Sequence, residues 1–253
     1  MGKKVRLDKV LVDRGILPSR HRAREAIEAG DVLVDGVPVT KVAAQVDSDR
    51  TVSLKSADPG WVGRGALKLA GVLGPLGVDP QGLVCADLGA STGGFTEVLL
   101  RGGAARVYAV DVGKHQLHER ISGDPRVVVM DETNARHLNL TAPQSGAGEC
   151  LPEPIDLVVA DLAFISIGKV LPAVRRILRP GGVAVVLVKP QFEVGPDKVG
   201  PGGVVTDPDD RLEAIANARV EAAELGFVVE GGMDSPVAGA RSGNVEHFLK
   251  LRC

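Results

Sequence analysis

The sequence predicts an α/β protein: a mostly parallel sheet of seven strands with helices on both faces, preceded by a small α+β module. Three observations carry this. From residue 63 onward, short apolar runs alternate with amphipathic stretches, the pattern of a doubly wound sheet. A glycine-rich turn follows the first of those runs. The first 55 residues show a different pattern, two short helices and a hairpin, and carry a local excess of positive charge.

Composition bounds the rest. At 253 residues, 44% hydrophobic and 25% charged, the chain has the balance of a globular protein of one large or two smaller domains. No apolar run approaches the ~20 residues needed to span a bilayer, and no signal peptide is read, so no membrane partner is expected. Cys85, Cys150 and Cys253 are scattered, and the five histidines show no ligand spacing. Neither disulfides nor a metal are expected, and a reducing cytoplasm is the default. Net charge is −2, but residues 1–24 hold eight Lys or Arg against two Asp, which points to a polyanion-binding face there.

In the N-terminal module, residues 1–55, Leu7, Val10 and Leu11 share one side of a short helix ended by Gly15. Ser19 caps a second helix, Arg20 to Ala29, with Ala23, Ala26 and Ile27 inward and Arg20, Arg22 and Arg24 toward solvent. Asp35-Gly36 between Val32-Leu33-Val34 and Val37-Pro38-Val39 signals a hairpin. Arg6-Leu7-Asp8, Ser19-Arg20, Ala23, Ile27, Gly30, Val32, Val34 and Gly36 resemble the alpha-L RNA-binding fold. That resemblance implies that Lys9, Arg20, Arg22 and Arg24 lie near RNA phosphates; the alternative is a solvated basic face.

Residues 56–62 read as a linker, and 63–253 as the second domain. A helix is expected over 66–76, then strands at 83–86, 106–110, 126–130, 155–160, 183–188, 227–231 and 245–251. Helices fall over 96–101, 167–178 and 208–225, the last capped by Asp207 with Pro208 at its first position. Residues 141–154, rich in Pro, Gly, Ser and Ala, read as a surface insertion.

The turn is Asp87-Leu88-Gly89-Ala90-Ser91-Thr92-Gly93-Gly94-Phe95. Its glycines permit a sharp turn and close approach to a ligand, and it opens a helix whose free N–H groups face an anion. Alone it also fits an ordinary strand-to-helix connection. The next strand ends at Asp111, about 20 residues on, where a ribose diol is bound in nucleotide folds. The third ends at Asp131, placed for an adenine amine. Three acidic strand ends suit an adenosine with little phosphate, and S-adenosylmethionine fits. Gly89, Asp111, Asp131, Asp161 and Lys189 all stand at carboxyl ends of strands, where such sheets bind ligands.

Arg64-Gly65, Lys68-Leu69, Gly89 to Phe95, Val107 to Gly113, Phe164-Ile165-Ser166, Lys189 to Gly195 and Gly243 to Glu246 resemble the TlyA family. These are haemolysin-labelled proteins of the FtsJ-like class. The resemblance implies a Rossmann-like methyltransferase fold with the last strand antiparallel, S-adenosylmethionine as cofactor, and 2′-O-methylation of cytidine in ribosomal RNA. It maps a catalytic set onto Lys68, Asp161, Lys189 and Glu246. Cofactor candidates are Asp87, Gly89, Ser91, Thr92, Gly93, Gly94, Phe95, Asp111 and Asp131. Arg64, Phe164 and Phe192 join the RNA-facing set, the phenylalanines as stacking partners for an unstacked base. Gly63 and Ala163 stand where the family usually has Ser.

The chemistry is coherent. A ribose 2′-hydroxyl must lose its proton to attack a sulfonium methyl, and Lys189 is the candidate base provided it is neutral; the plainer alternative is two Lys–carboxylate ion pairs at a sheet edge. An ammonium at Lys68 stabilises the developing alkoxide, and Asp161 and Glu246 orient the two. Two other readings stand beside this one: a non-catalytic RNA- or ribosome-binding protein, and a membrane-lytic haemolysin.

Overall fold

The computed structural model describes residues 4–54, 60–140, 150–239 and 243–253. Most of the expected linker and residues 141–149 of the expected insertion lie outside the described residues. The chain divides into two compact units, Met1–Trp61 and Val62–Cys253.

The first unit runs β1 (Lys4–Arg6), α1 (Leu7–Asp13), α2 (Arg20–Glu28), β2 (Val32–Val34), β3 (Val37–Pro38), β4 (Gln45–Asp47) and β5 (Val52–Leu54). Ser19 caps α2, its hydroxyl accepting from Arg22 N at 3.2 Å. Asp35 and Gly36 both take positive φ, +48° and +81°, as a two-residue hairpin of this hand requires. β1 and β4, which pair antiparallel, were not expected: three residues are too short to show a period. Leu7, Leu11, Ala23, Ile27 and Val32 are fully buried at the core.

One part of that core is charged. The Asp8 side chain is wholly buried and takes Arg6 at 3.0 Å, Arg20 at 2.9 Å and Arg24 at 3.6 Å. Burial pushes its carboxyl up, but the hydrogen bonds and charges of Arg6 and Arg20 outweigh that and bring it down to about 2. Arg22 departs from its expected place: its side chain is 16% exposed and lies against Glu25 at 3.1 Å, because it follows Ser19 round the inner shoulder of the helix.

The second unit runs α3 (Gly65–Leu73), β6 (Val84–Leu88), α4 (Gly94–Arg101), β7 (Arg106–Val110), α5 (Glu119–Ser122), β8 (Val127–Met130), β9 (Asn139–Leu140), β10 (Cys150–Leu151) and β11 (Ile155–Ala160). There follow α6 (Leu171–Ile177), β12 (Leu178–Val188), α7 (Pro190–Glu193), α8 (Pro208–Glu224), β13 (Val228–Asp234) and β14 (His247–Arg252). The main sheet has the order β13-β14-β12-β11-β6-β7-β8. β14 alone runs against its neighbours. Central strands read as unbroken apolar runs because both their faces are covered. Ala86, Leu88, Val158 and Ala160 pack with Leu171 and Val174 of α6 and Ala218 of α8. Asp87 points the opposite way and accepts Thr96 Oγ1 of α4 at 2.6 Å.

Local chemistry moved several boundaries. α3 stops at Leu73 because Gly74-Pro75 follows. The helix expected over 167–178 is a 3₁₀ turn, Ile167–Lys169, then α6 with Pro172 in its first turn. β12 starts at Leu178 because that residue pairs with Ile155; the register then shifts, so that Leu157 meets Val183 across a bulge containing Gly181 at φ +77°.

A Cβ on Gly94 would lie 2.8 Å from Ala66 N and 3.4 Å from Gly63 O. Backbone atoms cannot swing aside, so Gly94→Ala should destabilise the second unit by about 1–3 kcal/mol. Denaturant melts of the parent and Gly94→Ala measure the loss. For Asp8, the folded carboxyl sits below its unfolded value near 4. Its stabilisation is therefore full above about pH 4 and lost as pH falls toward 2. Asp8→Asn should cost about 1.5–3 kcal/mol at neutral pH and flatten that acid limb, measured by pH-resolved unfolding.

Candidate active site

Strand register assembles the site. Ala160 pairs with Leu88, Leu88 with Val110, and Val110 with Met130. The next residues, Asp161, Gly89, Asp111 and Asp131, therefore stand in one row. Val188 pairs with His247 of the antiparallel β14, so Lys189 and Glu246 leave the sheet on the same edge. Lys68 reaches them from α3.

The four form a continuous chain of ion pairs. Lys68 Nζ lies 2.7 Å from Glu246 Oε2 and 3.1 Å from Asp161 Oδ2; Lys189 Nζ lies 2.5 Å from Asp161 Oδ1. Burial works against the charge on Lys68, but the attraction of Asp161 and Glu246 prevails and its pKa is raised. Burial likewise opposes the charge on Asp161, and the two lysines overcome it and lower its pKa. Lys68 thus has two carboxylate partners, and Lys189 has one.

These residues line a cleft of about 890 Å³, with Gly89, Ser91, Asp111, Thr133 and Asn134 along one wall and Phe164 and Phe192 along another. Gly89 has φ +86°, and a Cβ there would sit 2.7 Å from Asp161 O, so the loop and the end of β11 touch backbone to backbone. Asp111 accepts Ser91 N and Gly113 N, each at 2.8 Å. It holds the loop while its remaining lone pairs face the cleft. Phe164 is 80% exposed, has φ +64°, and lies 5.6 Å from the Phe192 ring centroid. That conformation costs a non-glycine residue about 1–3 kcal/mol and persists only where neighbours enforce it.

Several expected site residues lie elsewhere. Phe95 is buried against Phe248, 6.1 Å between centroids, because it starts the inward face of α4. Asp87 is fully buried under the loop; burial pushes its carboxyl up to about 7, against the bonds from Thr96. Asp131 accepts His115 N at 2.7 Å, bracing the loop after β7 instead of lining the cleft. Thr92, Gly93 and Gly94 shape the turn from outside the cleft wall. The Thr92 hydroxyl occupies the space of a Cβ at Gly63, 2.5 Å from its ideal position. Arg64 donates to Ala238 O at 3.4 Å and is not on the cleft wall. In the first unit, Lys9, Arg20, Arg22 and Arg24 each face a carboxylate, of Asp13, Asp8, Glu25 and Asp8 respectively.

Others were missed. Thr133 and Asn134 follow Asp131 in sequence and line the cleft that it does not. Gln191 lines the cleft with Oε1 buried and unpartnered. Glu193 Oε1 accepts Ile167 N at 2.8 Å; its only signal was its place in the Lys189 to Gly195 motif. Asn244 is buried and ties Val205 N and Gly203 O at 2.9 and 2.8 Å. Among the described residues, no group of three or more His, Cys, Asp or Glu could hold a metal, and no helix is long and apolar enough to cross a membrane.

Residues 61–252 match the FtsJ-like methyltransferase family, and residues 5–52 match the S4 domain. The chain is 47% identical to the 16S/23S rRNA (cytidine-2'-O)-methyltransferase TlyA of Mycobacterium tuberculosis, over 100% of this chain and 91% of that protein. It is 35% identical to Hemolysin A of Brachyspira hyodysenteriae, over 97% of this chain and 100% of that one. A solved Streptococcus thermophilus structure that carries a hemolysin name superposes with a TM-score of 0.75 at 33% identity, covering 100% of this chain and 89% of that one. With strand order, ion-paired edge and full-length likeness in agreement, the chain belongs to the FtsJ-like methyltransferase family, with an S4 domain at its N-terminal end.

Proposed function

We propose that this protein transfers a methyl group from S-adenosylmethionine to the 2′-hydroxyl of cytidine in ribosomal RNA. In this reading residues 1–55 hold RNA, 63–253 carry out transfer, and 56–62 join them. The observation that carries it is the chain Glu246–Lys68–Asp161–Lys189 set beside the glycine loop.

The cleft fits the cofactor. Gly89, packed against the Asp161 carbonyl, holds the loop beside the lysine chain, and Asp111 offers a carboxylate for a ribose diol. Thr133 and Asn134 lie where the third strand delivers the chain to the cleft. Residues 89–94 of the loop include no Lys or Arg, and the neighbouring Lys68 and Lys189 are paired with carboxylates, which suits a zwitterion better than a pyrophosphate. When bound, S-adenosylmethionine supplies an electrophilic methyl group on a sulfonium.

The chain's own residues supply the rest. Lys189 Nζ, ion-paired with Asp161, first gives up its own proton to solvent and then takes the proton from the 2′-oxygen. Lys68, held charged by two carboxylates, sets a fixed positive field for the alkoxide that develops. Asp161 orients both lysines, and Glu246 keeps Lys68 from swinging away. Exposed Phe164, with Phe192 behind it, offers an aromatic face to a base drawn out of its stack, worth about 1–3 kcal/mol. In the first unit, Arg20 and Arg24 keep half of their surface exposed while bound to Asp8. Their outward N–H groups suit phosphates; Arg22 is tucked away and suits them less.

Lys189→Ala should lower methyl transfer to ribosomal RNA by about 10²–10⁴-fold, the range for a lost general base, with cofactor affinity retained. Asp111→Ala should instead weaken cofactor binding. Labelled methyl transfer and calorimetry separate the two; retained activity in Lys189→Ala would remove it from the base role. Arg20→Ala with Arg24→Ala should weaken RNA binding and make its salt dependence shallower by about 1–2 in log–log slope. Both arginines also hold buried Asp8, so melts accompany the titration, and Arg22→Ala should lower stability with the salt slope unchanged. Equal salt slopes for parent and the Arg20/Arg24 variant would show that these arginines contact no phosphate.

A further inference from the structure

We infer that Glu193 is a positioning residue for the target nucleotide: its carboxylate fastens the loop after β11 to α7 and so fixes the aromatic wall of the cleft. This rests on the RNA methyltransferase reading above. The loop after β11 carries Asp161 and Phe164; the segment after β12 carries Lys189 and Phe192. Each holds half of the site, and neither half is regular structure of any length: a 3₁₀ turn on one side, a four-residue helix on the other.

Phe164 shows why a fastening is needed. Its φ of +64° is a conformation that a phenylalanine leaves unless both flanks are held. On the N-terminal flank, Asp161 N donates to Leu88 O at 3.0 Å. On the C-terminal flank, Ile167 N donates to Glu193 Oε1 at 2.8 Å, and the Ser166 hydroxyl accepts Gly168 N at 3.2 Å. Glu193 stands one residue after Phe192, whose own N donates to Lys189 O at 2.8 Å. One side chain therefore ties the phenylalanine pair together from behind, at a point removed from the cleft wall itself.

The groups facing Glu193 define what it contributes. Burial and the charge of Glu221 on α8 work against its ionised form; Ile167 N–H and Ser166 favour it, and the balance is a raised pKa. The contribution is the acceptor atom, which an amide keeps, and the negative charge is dispensable.

The test uses the full chain, ribosomal RNA and labelled S-adenosylmethionine. Glu193→Ala should lower kcat about 10- to 100-fold, as misplacement of a held group does, while calorimetric affinity for S-adenosylmethionine stays at the parent value. Glu193→Gln should return kcat to within about three-fold of the parent, because its amide oxygen accepts the same N–H. In a Phe164→Ala background, Glu193→Ala should add little, since it acts through that ring. A Gln variant as slow as the Ala variant, fully multiplicative effects with Phe164→Ala, or loss of cofactor affinity in step with activity would each overturn the inference. So would an Ala variant as fast as the parent. A parent that methylates no ribosomal RNA would bring down the function reading and this inference with it, whereas an active parent beside an indifferent Glu193→Ala overturns the inference alone.

Discussion

Asp161 is a largely enclosed carboxylate shared by two lysines, and most of the second unit is arranged to make that possible. A lone carboxylate at the end of a central strand would have to give up its charge. With Lys68 on one oxygen and Lys189 on the other, it stays ionised. The arrangement demands that α3 lie against the sheet edge, that β12 end in register beside β11, and that the loop after β6 pass close underneath. The last demand explains Gly89: its neighbour is the Asp161 carbonyl, at a distance no Cβ tolerates. The glycine loop and the lysine chain are thus one packed object, and a residue that disturbs either disturbs both.

What could be read from the sequence follows from this geometry. Alternating apolar runs located all seven main strands, and topology alone placed Gly89, Asp111, Asp131, Asp161 and Lys189 on a common edge without need of accurate boundaries. Side-chain destination was less legible. Asp87, Asp111 and Asp131 look alike in sequence, each at or near a strand end. Yet Asp87 points into the body under α4, Asp111 faces the cleft, and Asp131 turns to a neighbouring loop. By register all three share one face, Asp87 level with Ala109 and Val129 and the other two one residue past the paired ends, so depth along the strand and the loop that follows decide between core and cleft. Phe95 is the same lesson on a helix.

Charge was also harder to read than shape. The basic excess of residues 1–24 counts eight cations against two acids, and the count says nothing of geometry. One of those acids, Asp8, is buried and gathers three arginines around it. Basic residues that look like a free face are partly the means by which this small core tolerates a carboxylate. In the proposed RNA-binding reading, guanidinium groups already held in place would lose less freedom on meeting a phosphate.

The one reversed strand in the sheet completes the argument. Were β14 parallel to β12, its carboxyl end, Arg252, would meet the edge where Lys189 emerges. Running antiparallel, it brings its beginning there, and Glu246 comes with it. Glu246 gives Lys68 a second carboxylate that Lys189 does not have. Two lysines on the same carboxylate would otherwise be near equivalents. The reversal gives Lys68 two carboxylate partners and leaves Lys189 with one, so that the difference between them is set by strand direction.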